Sequence, residues 1–450
     1  MSAPDAFCTL PDSLVALILS KMPIKDAVKS CILSKRWRFL YTQMPQLTFD
    51  QLTFDPYEMS FCTSLNPLLI SRVENIISNI LLLHSRNLEG FHLHNNNTRV
   101  NFNRENVCKW VRYASRYNVQ HLTLYDHTTF PIDLIEIPPP ALFSCSHLIT
   151  LNLGNYDLTS FPIDFVGFPH LLTCHLQYVQ LTDESLVSFI SLCPRLQKLE
   201  IRRDSELGNV VIFSSTIEHL RLERVKSLSL NCPLLRTLSG VLIEDLSVNG
   251  VVLPYELSHG TFHLEMDCGG TLRVLNMDWS PAMRIGHLSP SRFLHIVDNF
   301  QSLKKLVIHL SNRWVFRKEA GMDVPLLDLL HRLPNLHTLS MLGFFLQEVA
   351  RDPIPDCLTP PHVNLKKICV DIHDFDHKEV AVISCLLQSM PSLQTLEIQL
   401  PEKLDESEIP DILDESESVY DYEGQCLKLL KDIMYMRRAS SLARIIILDY

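Results

Sequence analysis

At 450 residues, 46% of them hydrophobic, the chain can bury a large core, which excludes a disordered protein and fits several domains or one elongated array. The formal charge of −11 is local, because residues 402–423 carry ten acidic side chains against one lysine. The remainder is close to neutral and lacks the clustered Lys and Arg that a nucleic-acid backbone demands.

Other function classes fall away on composition and motif. Glycine, at 13 residues, is well below the usual ~7%, and no glycine-rich phosphate loop, G-x-S-x-G elbow or H-E-x-x-H helix occurs. No enzyme, cofactor or metal site is therefore expected. Thirteen cysteines without a C-x-x-C pair favour reduced, mostly buried thiols. The start Met1-Ser2-Ala3-Pro4-Asp5 has no basic segment leading into an apolar run, and no apolar stretch of about 20 residues occurs. The expectation is a soluble intracellular protein, cytoplasmic, nuclear or both, with no membrane partner.

In chain order, the first element is a short helix beginning at Pro11-Asp12, where proline fits the first turn and a carboxylate faces the positive end of the dipole. Around it Leu14, Val15, Leu17, Ile18, Leu19 and Met22 sweep roughly 200° at 100° per residue, about twice the arc a helix needs to rest on its own core. Pro23 is expected to end it. A second helix is predicted over Lys25 to Ile32, and a third, capped by Ser34, would show Leu33, Trp37 and Leu40 on one face. Three helices this short need a partner. The run Lys35-Arg36-Trp37-Arg38 reads as a solvated helix face.

From Leu10-Pro11-Asp12-Ser13-Leu14 to Leu33-Ser34-Lys35-Arg36-Trp37-Arg38-Phe39-Leu40 the chain resembles the F-box in its plant form. Departures are small: Met22 replaces a more usual leucine, Cys31 occupies a small-residue position, and Tyr41 stands where many members carry a second tryptophan. The resemblance implies docking to an Skp-type adaptor and, through it, to a cullin within an SCF ubiquitin ligase. Leu10, Pro11, Leu14, Ile18, Leu19, Val28, Leu33 and Trp37 would make the contact.

Beyond this module L-x-x-L-x-L recurs at repeat spacing. It runs from Leu88-Phe91-Leu93, Val119-Leu122-Leu124, Leu148-Leu151-Leu153, Leu171-Cys174-Leu176 and Leu196-Leu199-Ile201 through Ile217-Leu220-Leu222, Ile243-Leu246-Val248 and Leu272-Leu275-Met277. It ends with Leu303-Leu306-Ile308, Leu336-Leu339-Met341, Leu365-Ile368-Val370 and Leu393-Leu396-Ile398. Each triplet predicts a short strand whose apolar face is covered only by stacking. Helical spacing intervenes at Leu186–Ile190, Leu326–Leu330 and Val382–Leu387, each followed by a proline that stops the helix. Between Ile217 and Leu253 the strand-like pieces crowd together, so loops or bare turns are expected instead of helices.

The string Cys193 to Ile201 is typical of leucine-rich repeats in F-box proteins, although the usual Asn or Cys after the strand is missing. The fold expected is α/β: a three-helix F-box over 7–49, then an irregular leucine-rich-repeat solenoid over 50–350 with a parallel sheet on its concave face and helices and loops outside. Residues 351–450 resemble the FBD-type C-terminus, through Pro355-Asp356-Cys357-Leu358, Leu365-Lys366-Lys367-Ile368, Arg438-Ala439-Ser440-Ser441 and Ile445 to Leu448. Residues 402–423 interrupt that pattern as an acidic loop.

On each strand the side chains between and just after the last two apolar positions point away from the core. The capture surface for a protein substrate is accordingly expected at His175, Gln177, Glu200, Arg202, Arg221, Glu223, Asn276 and Asp278. Glu200 and Arg202 should lie beside Arg221 and Glu223 and neutralise them across adjacent strands. His373 and His377, four apart beside Asp374 and Asp376, read as a polar turn rather than a metal site, and His92 and His94 as plain strand surface. The implied role is substrate recognition for ubiquitination. The alternatives are a scaffold or decoy without ubiquitination output, and a small-molecule hormone receptor on the repeat.

Overall fold

The computed structural model describes residues 10–33, 35–50, 67–85, 87–95, 102–126, 137–203, 205–249, 251–253, 261–267, 271–279, 300–310, 326–350, 354–373, 377–401 and 422–448. The chain divides into two compact units, Met1–Val225 with Ser229–Leu234, and Lys226–Leu228 with Leu235–Tyr450. The division falls inside the stretch predicted as one repeat region.

The first unit opens with helices Asp12–Leu19 and Ile24–Lys29, followed by 3₁₀ segments Ser30–Ile32 and Trp37–Gln43. Two expectations change here. Pro23 does not end the first helix, which stops at Leu19, but precedes the second as its N-cap. The third predicted helix is a 3₁₀ segment, and its proposed cap Ser34 lies outside the described residues. Val15, Ala16, Leu19, Ile24, Ala27, Leu40 and Met44 form a small core. Arg36 ties the ends of the module together by an ion pair to Asp12 at 2.7 Å and a bond to the Leu10 carbonyl.

A parallel ladder follows: β1 (Gln46–Phe49), β2 (Gly90–Asn95), β3 (His121–Asp126), β4 (Thr150–Gly154), β5 (Thr173–Gln177) and β6 (Lys198–Arg202) pair in order, and β6 then pairs with β8 (His219–Asn231). Each strand of this ladder after β1 begins the same way. The amides of Gly90, His121, Thr150, Thr173, Lys198 and His219 donate to Pro45, Glu89, Gln120, Ile149, Leu172 and Gln197 of the preceding strand entry. The inward residues are the expected triplets, with Leu88, Leu122, Leu148, Leu151, Leu171, Cys174, Leu196 and Leu199 fully buried.

Parallel strands need a crossover. Helices Pro67–Leu83, Arg104–Arg116 and Asp183–Ser191 supply several of them, and a 3₁₀ turn at Pro140–Ser144 serves another. The Asp183–Ser191 helix starts with a reciprocal cap between Thr182 and Ser185. The Asp183 carboxylate accepts from the amides of Gly208 and Asn209 at 2.9 and 2.8 Å, fixing β7 (Leu207–Phe213) against that helix.

The second unit departs from the all-parallel expectation. β9 (Thr237–Val248) pairs antiparallel with β10 (Val251–Leu253) and with β11 (Thr261–Met266), and β11 pairs antiparallel with β12 (Leu272–Trp279). Between Ile217 and Leu253 the described residues form no helix, as expected, but the strands are longer than the short pieces read from the sequence: β8 and β9 run on through breaks in their alternation at Glu223-Arg224 and Val241-Leu242, where Arg224 and Leu242 take positive φ. Parallel pairing resumes from β12 through β13 (Lys305–Leu310), β14 (Thr338–Gly343), β15 (Lys367–Asp371), β16 (Thr395–Gln399) and β17 (Arg444–Leu448). Helices Leu326–Arg332, Phe345–Val349, His377–Ser389 and Tyr422–Tyr435 accompany these strands. Most of the acidic segment lies outside the described residues, and the last of these helices begins at its end.

Thiols are distributed through both units. Cys145, Cys174, Cys193 and Cys385 are buried, whereas Cys357 is exposed. Burial pushes the Cys145 and Cys193 thiols up to about 12, and raises Cys174 well above its ordinary value.

Candidate functional site

Two surfaces of the first unit stand out. The first is on the N-terminal module, where the apolar residues of one helix divide cleanly. Val15, Ala16 and Leu19 face the small core, with Leu19 at 0% exposure, while Leu14 (46%), Leu17 and Ile18 stay uncovered. Met22, Ile32 (83%), Leu33 (68%) and Phe39 are exposed as well. Large apolar patches on a small module mark an interaction surface.

Of the predicted contact residues, Leu14, Ile18 and Leu33 lie on this surface, Pro11 is exposed, and Leu10, Val28 and Trp37 are half-buried. Leu19 is not available to a partner, because it fills the core. Both flanks of this helix are apolar, so spacing alone could not show which of them the module itself covers.

The second surface is the outward row of the ladder. In register across β2 to β8 run His92, Thr123, Asn152, His175, Glu200 and Arg221. Beside it, from β2 to β6, run His94, Tyr125, Gly154, Gln177 and Arg202. Between these rows lies a recess of about 370 Å³, lined by His94, Thr123, Tyr125, Asn152, His175, Leu176, Gln177, Glu200 and Arg202. Gly154 shapes its floor, since a Cβ there would stand 3.1 Å from the Tyr125 ring. A glycine inside a strand often marks such a close approach.

The polar contacts of the recess are specific. Glu200 accepts from His175 Nδ1 at 3.0 Å and from Lys198 Nζ at 2.9 Å. Burial would raise the Glu200 carboxyl, but the Lys198 hydrogen bond and the nearby charges of His175 and Lys198 hold it below the usual range. Asn152 Nδ2 donates to Thr123 Oγ1 at 3.0 Å, and Thr123 also bonds His92 Nδ1 at 2.9 Å. Asn152 Oδ1 is buried with no partner among the described residues. Burial pushes the Tyr125 hydroxyl up to about 12 and lowers His94, so both are neutral near pH 7.

Four of the eight predicted capture residues, His175, Gln177, Glu200 and Arg202, come together here. Arg221 and Glu223 pair with each other along β8 at 3.0 Å, which corrects the expected cross-strand neutralisation. The β6–β8 pairing stops at Glu200↔Arg221, so Arg202 and Glu223 never come opposite one another. Asn276 and Asp278 belong to the second unit, where Asp278 accepts from His309 at 3.0 Å.

Sequence reasoning missed His94, Thr123 and Tyr125, although the same offset within L-x-x-L-x-L identifies them on β2 and β3. His92 and His94 are more than plain strand surface: they stack on each other, and burial takes His92 down to about 4. In the second unit His373 stacks on Phe344 at 4.2 Å, and His377 opens a helix rather than lying in a turn. The intervening residues 374–376 lie outside the described ones. No cluster of three metal-ligating side chains occurs among the described residues, nor is any of their helices long and apolar enough to cross a membrane.

Comparison with known proteins bears on both surfaces. Residues 7–40 match the F-box domain model, and residues 107–248 match the model of the leucine-rich repeats of the FBD-associated F-box protein At5g56370. Together they define the class: an F-box followed by a leucine-rich-repeat region. F-box/FBD/LRR-repeat protein At1g13570 of Arabidopsis thaliana is 25% identical over 75% of this chain and 76% of its own length. The putative F-box/FBD/LRR-repeat protein At5g22670 is 29% identical over 51% of this chain and 45% of its own length, and At5g56420 is 33% identical over 45% and 44%, both from the same plant. The chain thus spans less than half the length of these last two relatives. In these regions the chain is similar to plant F-box/LRR proteins.

Proposed function

We propose that this chain is the substrate-recognition subunit of an SCF-type E3 ubiquitin ligase, working in the cytoplasm, the nucleus or both. Residues 7–49 dock on an Skp-type adaptor and through it on a cullin, residues 50–350 hold a target protein, and 351–450 form the FBD-like end. The chain is non-catalytic. Ubiquitin transfer follows from proximity, as a partner enzyme meets a target held at high effective concentration.

One observation carries this reading: Leu14, Leu17, Ile18, Ile32, Leu33 and Phe39 stand uncovered on a module that builds its core from other residues. F-box domains generally bind Skp-type adaptors, which supports the same assignment. The test is co-purification with an Skp-type adaptor. Leu14→Asp combined with Leu33→Asp should reduce recovery at least tenfold while the thermal melt of the chain stays unchanged, since both side chains are exposed. Equal recovery of the double variant overturns the proposal. Reconstituted ubiquitination of a captured target then separates a ligase subunit from a scaffold.

A further inference from the structure

The central charges of the ladder are not equally satisfied. Glu200 is held by Lys198 and His175, and Arg221 by Glu223. Arg202 is exposed at the edge of the recess and has no carboxylate partner among the described residues. The Arg202 charge is felt at the Tyr125 hydroxyl, which it favours in the ionised form against the larger effect of burial. Among the described residues the recess therefore presents one uncompensated cation.

The size of the recess narrows the ligand further. The volume, about 370 Å³, is at the small end of the range of about 300–1,000 Å³ for ligand pockets, enough for one long side chain and its flanking backbone. A nucleic acid does not fit this chemistry, because it needs several cations along a track.

We infer that the recess seats an anionic side chain of the captured protein, a carboxylate or a phosphate, against the Arg202 guanidinium. This rests on the reading that the repeat strands hold a protein. A planar guanidinium binds either group in a bidentate manner. Gly154 matters to the fit, because it lets the Tyr125 ring lie close over β4 instead of filling the recess.

The experiment uses the full chain and an oriented degenerate peptide library with one central position fixed as glutamate, phosphoserine, glutamine or serine. Retention should favour glutamate or phosphoserine over glutamine and serine at least tenfold. Preference for glutamate alone assigns a carboxylate, and preference for phosphoserine alone a phosphate. Arg202→Gln should abolish the preference, whereas Arg221→Gln, whose side chain is already paired, should leave it intact. Gly154→Ala should weaken retention severalfold with Arg202 still present. Equal retention of neutral and anionic peptides, no retention of anionic peptides, or an unaltered preference in Arg202→Gln overturns the inference. Adaptor recovery by Arg202→Gln, expected to equal wild type, keeps this result separate from a failure of the docking module.

Discussion

Leu14 and Leu19 sit on the same short helix and are the same residue type, yet one is half exposed and the other fully buried. Truncating Leu19 to alanine should destabilise the chain by about 2–5 kcal/mol in urea melts, the range for buried leucines, while Leu14→Ala should stay within about 0.5 kcal/mol. The sequence made both visible as apolar, but the helix is greasy on both flanks and only the packing assigns them. Histidine behaviour was less legible still, because burial depends on neighbours from other strands. His92 is lowered to about 4 by burial, then by His94, His121 and Lys21. Its ordinary value near 6.5 applies when unfolded, so the unfolded chain binds a proton first as pH falls. Stability from this group is complete above about 6.5 and is lost progressively toward 4. The melting temperature should fall between pH 7 and 5, and His92→Gln should flatten that fall.

Strand positions were legible almost throughout, since L-x-x-L-x-L fixes which residues point inward. Strand direction was not. A period of two is the same in parallel and antiparallel pairs, and what separates them is the length and content of the connection. Thus Ile243-Leu246-Val248 read as one more repeat strand, but it is the far half of β9, hairpinned onto β10. The antiparallel block contains its own marker in Gly240, which pairs with Phe262 of β11 and lies under that ring. A Cβ there would come 2.4 Å from the ring edge. Gly240→Ala should destabilise by about 1–3 kcal/mol, the range for overpacking, measured as a lowered urea midpoint with an unchanged slope. The repeat search did not include β1, β7, β10, β11 or β17. Gln46-Leu47-Thr48-Phe49 lacks the leading leucine of the pattern, and β17 was noticed only as part of the C-terminal resemblance.

At the scale of the whole molecule, the apolar register and the F-box motif were both written in the chain. The recess was only half legible, because its depth comes from Tyr125 lying over Gly154 two strands away from Arg202. Repeat arrays derive stability from nearest-neighbour interfaces, so they open in pieces rather than all at once. The sulfur atoms set into successive strand entries turn that property into a readable signal. Cys145 precedes β4, Cys174 lies on β5 and Cys193 precedes β6, each shut away from solvent with its thiolate suppressed. Only molecules whose local segment has come apart expose such a group to an alkylating reagent. Timed labelling with iodoacetamide, followed by peptide mass spectrometry, should modify Cys357 at once and the three interior positions far more slowly. Each of those slow rates clocks the fraying of its own repeat, so the chain contains a native set of stopwatches spaced along its length.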